Sequence, residues 1–229
     1  MSPHITTFTL GPYQTNCYVV TPGSPAPGMN CWIVDCGMEP DELIDWIIEH
    51  RLVPQAVLLT HTHLDHIAGV DRLLTRLKTP NLPIYVHEKE AGFCSDPMFN
   101  LSALIGMPTT CREPDHQVKD GDVLELDGGE NEAGGGVAVG GWRVMHTPGH
   151  SPGGVCFVHD ASKQAIVGDA IFNGSIGRHD FPTSDVRDLR RSIQEIMQLP
   201  DDMTIHPGHG PATTIGEERR SNPYVVNGF

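Results

Sequence analysis

The chain has 229 residues, of which 38% are hydrophobic and 19% are charged, and its formal net charge is −14. This composition is that of a globular protein and excludes a disordered chain. Because phosphate binding needs clustered Lys and Arg, the acidic balance argues against a nucleic-acid-binding surface. No apolar run reaches the roughly 18 residues of a membrane-spanning helix. The amino terminus also lacks the pattern of a signal peptide, so we expect a cytoplasmic protein that binds no membrane.

The cysteines are scattered and form neither a C-x-x-C pair nor a dense disulfide framework. We therefore expect them to be reduced and to act as small buried apolar residues without a part in the chemistry. They are Cys17, Cys31, Cys36, Cys94, Cys111 and Cys156.

The amino-terminal part of the chain combines strand and helix patterns. ITTFTL, NCYVVT and NCWIVDCG predict three strands separated by turns. In PDELIDWIIEHRL, the residues Leu43, Ile44, Ile47 and Ile48 recur at helical spacing and predict an amphipathic helix. The run AVLLT then predicts a strand, IAGVDRLLTRL a helix and LPIYVHE another strand, and residues 91–110 an irregular or partly helical segment.

The rest of the chain continues this order. GGENEAGGGVAVGG, at residues 128–141, lacks the phosphate-loop pattern and indicates a mobile hairpin or surface insertion. WRVMH, VCFVHD and QAIVGDAIF read as strands, and VRDLRRSIQEIMQLP predicts an amphipathic helix before MTIHPGHGP. Strands and helices occur in both halves and no linker separates them, so we expect one α/β domain over residues 1–229.

A cluster of polar residues follows the strand AVLL, in the segment LTHTHLDHIAG. Side chains two positions apart in an extended segment point the same way, so His61 and His63 can converge on one metal ion. Asp65 and His66 follow at a turn, which can direct them towards a second ion. Polar groups at the end of a buried strand need partners to offset their desolvation, and metal ions would supply them.

Three further motifs place one imidazole or carboxylate at the end of an apolar strand: TPGHSPGG with His150, IVGDAIF with Asp169, and IHPGHGP with His209. Small residues beside each donor allow tight turns. With the first cluster, these residues supply seven nitrogen and oxygen donors and no thiolate. That set exceeds one closed structural zinc site and favours two ions with open positions.

The other histidines carry no comparable motif. Those in or beside strands are expected to be structural or superficial: His87, His146, His159 and His206. Those without any motif around them are expected to be solvated: His4, His50 and His116.

The ordered motifs HTHLDH, GHSPGG, GDAIF and PGHG resemble those of the metallo-β-lactamase fold superfamily over nearly the entire chain. This resemblance implies an αββα sandwich, in which two mixed β-sheets are flanked by helices. It also implies a two-ion centre: His61, His63 and His150 hold the first ion, Asp65, His66 and His209 hold the second, and Asp169 bridges them. Zinc is favoured, and iron or manganese suit the same donors.

A finer resemblance is to the single-domain type of glyoxalase II, the hydroxyacylglutathione hydrolases, in GDAIFNGSIGRHDFP and PGHGPATTIGEERRSNPYV. It implies a hydrolase that cleaves small-molecule thioesters with a metal-bridging hydroxide, S-D-lactoylglutathione being the candidate substrate. Asp65 would orient the attacking water and shuttle its proton. Arg178 matches a basic residue that meets a glutathione carboxylate in the longer enzymes, but Asp180 stands where those enzymes have tyrosine. The alternative for Arg178 is an ion pair with Asp180 or Asp185 that orders the loop.

Other functions fit the same motifs. An iron-dependent glutathione persulfide dioxygenase would use one ion, held at His61, His150 and Asp169. A lactone or β-lactam hydrolase would use the same hydroxide as a thioesterase. A metal-stabilised scaffold without activity would have coordinatively closed sites. The complete second set of donors favours the two-ion hydrolase over the dioxygenase, and the loop after Asp169, which resembles that of the thioesterases, favours a thioester over a lactone or β-lactam.

Overall fold

The structure is a computed structural model that describes residues 2–127 and 139–229. The prediction of a hairpin or surface insertion at residues 128–141 therefore falls mostly outside the described residues.

Six strands form the first sheet, in the spatial order β1-β2-β3-β4-β5-β6. The first three strands pair antiparallel, whereas β3 to β6 run parallel. Parallel neighbours need crossover connections, and the helices of the first half lie in these connections. The strands are β1 (His4–Leu10), β2 (Thr15–Thr21), β3 (Asn30–Val34), β4 (Val53–Leu58), β5 (Ile84–His87) and β6 (His116–Val118).

The second sheet also has six strands, in the order β14-β13-β10-β9-β8-β7. Here β10 and β13 pair parallel and the other neighbours pair antiparallel. Both sheets are therefore mixed, as the resemblance implied. The strands are β7 (Val123–Leu126), β8 (Val139–His146), β9 (Val155–His159), β10 (Gln164–Gly168), β13 (Thr204–Pro207) and β14 (Thr213–Thr214), and a separate hairpin contains β11 (Ile171–Phe172) and β12 (Ser175–Ile176).

The helices form where apolar residues recur at helical spacing. In α4, Leu189, Ile193 and Ile196 are buried, and the Asp185 side chain accepts hydrogen bonds from the first-turn amides of Arg187 and Asp188. The α-helices are α1 (Asp41–Glu49), α2 (Leu64–Ile67), α3 (Val70–Leu77), α4 (Val186–Ile196), α5 (Ile215–Ser221) and α6 (Pro223–Val226). Short 3-10 turns occupy Glu88–Glu90 and Ala103–Ile105.

Three apolar clusters hold four layers together. One lies between the sheets, where Trp32 of the first sheet meets Trp142 of the second edge to face, with ring centroids 6.5 Å apart. A second packs α1 and α3 against the first sheet, and a third packs α4 and α5 against the second sheet. The fold is thus an αββα sandwich with two mixed sheets flanked by helices, and the predicted fold class is confirmed.

One local prediction needs correction, and one residue of the predicted helix α1 lies outside its buried face. Ile48 shares the helical spacing of the apolar residues in α1, yet it is 48% exposed while Leu43, Ile44 and Ile47 are buried. The helix predicted over IAGVDRLLTRL begins later, because α2 ends at Ile67 and α3 begins at Val70. Between them, Gly69 packs so closely on the loop after β3 that a Cβ there would lie 2.1 Å from the Gly37 carbonyl oxygen.

The six cysteines are buried, as predicted. Among residues 2–127 and 139–229, no helix is both long enough and apolar enough to cross a membrane.

Candidate metal centre

The seven donors predicted from the sequence meet at one end of the sandwich. Four strands deliver them: His61 follows β4, His150 follows β8, Asp169 follows β10, and His209 follows β13. Of these strands, β10 and β13 are neighbours in the second sheet, β8 lies in the same sheet and β4 lies in the first, so donors far apart in sequence converge from both sheets. Backbone hydrogen bonds fix the arrangement, including one from Gly208 N to Gly168 O at 2.8 Å.

The local conformation of the LTHTHLDH segment explains its double contribution. His63 is extended, with φ −63° and ψ 149°, and directly precedes the first residue of α2. The extended part holds the rings of His61 and His63 at a centroid distance of 4.5 Å, and the turn of α2 carries Asp65 and His66 to the other side.

Three histidines form the first group of donors. One ring nitrogen each of His61, His63 and His150 lies within 4.8 Å of the other two. His63 Nδ1 and His150 Nε2 are 2.9 Å apart. The opposite nitrogen of His150, Nδ1, is 2.8 Å from the carbonyl oxygen of Arg178, to which it donates, so Nε2 carries the lone pair that faces His63.

The second group contains a carboxylate and two histidines. Donor atoms of Asp65, His66 and His209 lie within 4.8 Å of one another. Asp65 Oδ2 is 3.3 Å from His209 Nε2 and accepts a hydrogen bond from the Thr15 hydroxyl at 2.8 Å.

Asp169 lies between the two groups. Its Oδ2 is 3.5 Å from His150 Nε2 and 3.4 Å from His209 Nε2, and its Oδ1 is 3.4 Å from His66 Nε2. The structure therefore brings together all seven predicted donors, with Asp169 within reach of both groups.

Asp35 supports the centre from behind, and the sequence analysis did not single it out. It is buried at the end of β3, and its Oδ2 lies 2.8 Å from His66 Nδ1. It also accepts hydrogen bonds from the Thr60 amide and hydroxyl. A carboxylate on the far nitrogen fixes the tautomer and ring orientation of a metal-binding histidine. The signal was present in NCWIVDCG, a lone acid in a buried strand end.

Glu90 is a second supporting carboxylate that the sequence analysis missed. Fully buried, it accepts hydrogen bonds from the Thr62 amide and hydroxyl and from the Gly153 amide, each at 2.7 Å. Thr62 lies between two donors, and Gly153 follows His150 in the next loop. Glu90 therefore joins the two loops that carry the histidines of the first group.

Several donor atoms have no internal partner, which tests whether a cation suits the site. Within the described residues, His61 Nε2, His63 Nε2, His66 Nε2 and Asp169 Oδ1 are buried without a hydrogen bond. The 3.4 Å contact between His66 Nε2 and Asp169 Oδ1 lacks hydrogen-bond geometry. Burying unpaired polar atoms is costly. A set of imidazole and carboxylate donors left unpaired in this way fits divalent metal ions.

Gly208, in the PGHG motif, allows the donors to approach one another. A Cβ at this position would lie 2.0 Å from Asp169 Oδ1 and 2.9 Å from His66 Cε1. A larger residue would therefore displace a donor shared by both groups.

The two groups differ in their protonation. Burial lowers the pKa of His61 and His63 well below the usual histidine value, and it also lowers the pKa of His150. Burial opposes charging of His66 as well, but the carboxylates of Asp65, Asp169 and Asp35 outweigh it and raise the His66 pKa well above its usual value.

His209 behaves like His66. Hydrogen bonding to Asp169 and Asp65 overcomes burial and raises its pKa to about 10. The pKa values of Asp65 and Asp169 are lowered in turn, since the facing imidazoles and hydrogen bonds outweigh the opposing effect of burial. In the metal-free protein, the first group is therefore neutral and the second is an ion-pair network.

A cavity of about 340 Å³ opens over the centre, with His63, Asp65, His150, Asp169 and His209 on its floor. Its volume is in the range of small-molecule sites.

Arg178, predicted from the sequence to contact substrate, lies in the cavity wall. Its guanidinium donates two hydrogen bonds to Asp180, each 2.9 Å long, and lies 4.2 Å from the centre of the Phe181 ring. The ion pair considered from the sequence is therefore present with Asp180.

The remaining histidines lie outside the candidate centre. His87 and His146 stack with ring centroids 4.0 Å apart, and His206 packs against Tyr18. Of the three expected to be solvated, His4 and His116 are exposed, but His50 is half-buried on the Trp46 ring at a centroid distance of 4.1 Å. The expectation for His50 is therefore wrong, because α1 ends beside its own Trp46.

Fold and site together define an αββα protein with a candidate metal centre at one end of its sandwich. The model of the metallo-β-lactamase superfamily matches residues 10–209. The chain belongs to this superfamily, and the resemblance inferred from its motifs is confirmed.

Relatives and solved structures agree with this assignment. The chain is 34% identical to the hydroxyacylglutathione hydrolase GloC of Haemophilus influenzae over 216 residues, covering 93% of each chain. It is similar to the structure of BLEG-1 B3 metallo-β-lactamase, with a TM-score of 0.85, 36% identity and coverage of 97% of this chain and 100% of that one. It is also similar to TTHA1623 in a di-iron-bound form, with a TM-score of 0.79, 34% identity and coverage of 96% and 99%.

Proposed function

We propose that the protein is a metal-dependent thioester hydrolase of the hydroxyacylglutathione hydrolase type. The observation that carries the proposal is the convergence of seven imidazole and carboxylate donors beneath a cavity open to small molecules, with four of their atoms buried without a hydrogen bond to the described residues. In this proposal, one ion is held by His61, His63 and His150, a second by Asp65, His66 and His209, and Asp169 bridges them. Two divalent ions bound there would supply a hydroxide near neutral pH and polarise the substrate carbonyl.

Asp65 is the proposed catalytic residue among the donors. Its carboxylate faces the cavity, and its low pKa keeps it ionised near neutral pH. The Thr15 hydroxyl holds Oδ2 by a hydrogen bond. Asp65 is therefore placed to orient the attacking water and to accept its proton while the thioester carbonyl lies over the floor.

A backbone contact orients His150 for its proposed role as a metal ligand. Donation from Nδ1 to the Arg178 carbonyl oxygen leaves the neutral ring with a lone pair on Nε2, directed at the centre. Burial keeps this ring neutral by lowering its pKa. Neutral imidazoles are the form that binds metal ions.

The choice of a thioester is supported by the relative from Haemophilus influenzae, a hydroxyacylglutathione hydrolase similar over 93% of both chains. S-D-lactoylglutathione is therefore the first substrate to test. Arg178 remains the candidate contact for a substrate carboxylate, and that contact would require Arg178 to exchange its bonds with Asp180. We propose zinc as the resident metal, and the di-iron form of a similar protein makes iron the competing choice.

A second candidate is β-lactam hydrolysis. The similarity to BLEG-1 B3 metallo-β-lactamase, at 36% identity over nearly the whole of both chains, favours testing it. The same floor of donors would serve either carbonyl, so substrate preference alone separates the two functions.

The test combines metal analysis and activity in one preparation. Elemental analysis of the purified protein is expected to give two ions per chain, and S-D-lactoylglutathione or a simple thioester is expected to be cleaved. A β-lactam and oxygen uptake with glutathione persulfide are measured alongside. The Asp202→Ala variant, which removes an exposed acid far from the donors, serves as a control for Asp65→Ala. Full metal content with no thioester cleavage would overturn the proposal, and a single iron with oxygen uptake would replace it with the dioxygenase.

A further inference from the structure

The walls of the cavity differ in chemistry from its floor. Apart from the five donors on the floor, the lining includes Leu64, Leu101, Ile105, Phe172, Ile176 and Phe181. The other two lining residues in the described part of the chain are Tyr13 and Arg178. Once the floor is assigned to metal binding, little polar side-chain chemistry is left for recognition of a substrate.

Leu101 is held in this wall by an unusual backbone conformation. Its φ is +66°, in the left-handed region that a leucine rarely adopts, and its side chain is only 8% exposed. The neighbours Asn100 and Ser102 are fully buried and fix the turn: the Ser102 amide donates to Asn100 Oδ1, and the Thr109 amide donates to Ser102 Oγ. Strained conformations persist where the surroundings over-determine them, often at ligand sites.

The same segment is joined to the metal-binding segment. The amide of Leu64, which follows His63, donates to the Asn100 carbonyl oxygen at 2.9 Å. The apolar wall is therefore fixed relative to the floor before a substrate arrives, and preorganised contacts of this kind cost less on binding.

Among its described lining residues, the wall of the cavity offers no unpaired cationic side chain to an anionic arm of a substrate. Arg178 is the one Lys or Arg among its described lining residues, and Asp180 already neutralises it through two hydrogen bonds. The chain as a whole carries a formal charge of −14, which opposes the approach of anions at long range. A substrate such as a glutathione thioester brings two carboxylates, for which no unpaired cationic side chain is present among these lining residues.

We infer that the preferred thioester carries an apolar aliphatic or aromatic arm, and that Leu101 and Ile105 are specificity-determining residues for it. This inference rests on the proposed hydrolase function and narrows its substrate class. The apolar arm lies against the wall formed by these two residues and Phe172, while the thioester carbonyl lies over the floor. S-D-lactoylglutathione is then still cleaved, but less efficiently than a thioester that carries an apolar arm.

The first experiment uses two series of simple thioesters with the metal-loaded full chain. In one series the thiol is N-acetylcysteamine and the acyl group is acetyl, butanoyl, hexanoyl or octanoyl. In the other, the acyl group is acetyl and the thiol carries alkyl chains of the same lengths. We expect kcat/KM to rise at least tenfold along one series, since even one methylene group in an apolar pocket is worth roughly tenfold or more. The series that responds identifies which arm lies against the wall.

Matched variants locate the effect. Ile105 and Leu104 lie in the same 3-10 turn and are 48% and 49% exposed, but only Ile105 lines the cavity among the described residues. Ile105→Ser is expected to lower kcat/KM about tenfold for the longest substrate and by a much smaller factor for the acetyl substrate. Leu104→Ser is expected to leave both unchanged. Because both side chains are exposed, neither variant threatens the fold.

Binding of octanoate and acetate, followed by calorimetry, separates this inference from the hydrolase function. Octanoate is expected to bind wild type and Leu104→Ser at least tenfold more tightly than it binds Ile105→Ser. Octanoate binding that depends on Ile105, without cleavage of any thioester, would overturn the hydrolase function and retain the apolar site. Cleavage that is flat along both series, or equal losses in the two serine variants, would overturn the apolar arm and retain the hydrolase.

Discussion

The two donor groups of the candidate centre differ in burial and charge. His61, His63 and His150 are all buried, and burial keeps them neutral. In the second group, His66 is buried, but Asp65 and His209 are partly exposed, with 19% and 29% of their side-chain surface accessible.

This difference indicates how each half of the centre, that is, each donor group with its ion, would bind that ion. Neutral imidazoles need lose no proton to bind a metal, whereas the protonated His66 and His209 must each release one. We therefore expect the first half to bind its ion more tightly at mildly acidic pH, and the second to exchange its ion more readily. Each prediction below perturbs one side of this contrast.

Asp65→Ala tests the second half and has the largest expected effect. The variant removes a proposed ligand and the proposed proton acceptor together, so thioester hydrolysis should fall by roughly 10²- to 10⁴-fold, the range of a positioned acid or base. Metal analysis should show loss of the second ion, and circular dichroism should show a retained fold. Unchanged metal content and turnover would contradict the role of Asp65. Loss of both ions would show that the two halves bind as one unit.

Glu90→Gln tests the first half. The carboxylate joins the Thr62 and Gly153 loops, and a glutamine would turn an NH₂ group towards donors that need an acceptor. The unfolding free energy should fall by about 1–3 kcal/mol, as for a buried polar group left unpaired. Affinity for the first ion should fall by about tenfold, at the low end of the effect of supporting residues at metal sites.

The control for this prediction is Glu88→Gln, since Glu88 is exposed on the same 3-10 turn. Chelator competition and thermal unfolding measure the two effects. A loss confined to the second ion would be the opposite of what the contacts of Glu90 imply.

Much of the fold follows from local sequence patterns, and the departures have long-range causes. The spacing of apolar residues marks α1 and α4 because each helix buries one face against a sheet. The same spacing cannot reveal that Ile48 lies at the edge of that face. Nor does it reveal the break before α3, where the Gly69 amide donates to the Cys36 carbonyl oxygen in another part of the chain.

The candidate donors could be found from sequence because each lies in a short motif at a strand end. Their supports could not, because Asp35 and Glu90 are single acids whose partners lie in other loops. The apolar wall of the cavity could not be predicted from the sequence for a similar reason. The conformation of Leu101 is set by a buried network around Asn100 and Ser102, which in sequence resembles an ordinary loop.

Arg178→Ala tests whether the side chain beside the first half recognises substrate. The variant keeps the backbone carbonyl that His150 contacts, so metal content should not change. Because the pair with Asp180 is exposed and contributes little energy, stability should not change measurably. KM for a carboxylate-bearing thioester should rise a few-fold, with less effect on a small neutral thioester. Equal effects on both substrates would assign Arg178 a purely structural role.

Asp180→Asn sharpens the same point. It releases Arg178 from its carboxylate partner, so the carboxylate-bearing substrate should bind a few-fold more tightly than to wild type. Steady-state kinetics with the two substrates measures both variants. If KM fell only for the neutral substrate, the ion pair between Arg178 and Asp180 would affect binding through the shape of the cavity wall and not through its charge.

His206 tests whether burial alone accounts for neutral histidines such as those of the first half. It lies on β13, outside the candidate centre, and burial lowers its pKa to about 4. Since the unfolded value is about 6.5, the neutral ring stabilises the fold above that pH, and this contribution disappears as the pH falls towards 4. In the metal-free protein, the difference in unfolding free energy between wild type and His206→Gln should therefore shrink by about 1–3 kcal/mol between pH 7 and pH 4.

Titration of the His206 ring by NMR checks the same value directly. A pKa near 4 in the absence of any nearby charge would show that burial suffices to keep a ring neutral in this sandwich, as inferred for the first group. A pKa near 6.5 would mean that water reaches β13. The low pKa values of His61 and His63 would then result from repulsion between these two rings and from His66. Removal of a neighbouring histidine would raise these pKa values, and the first half would no longer bind its ion more tightly than the second half at mildly acidic pH.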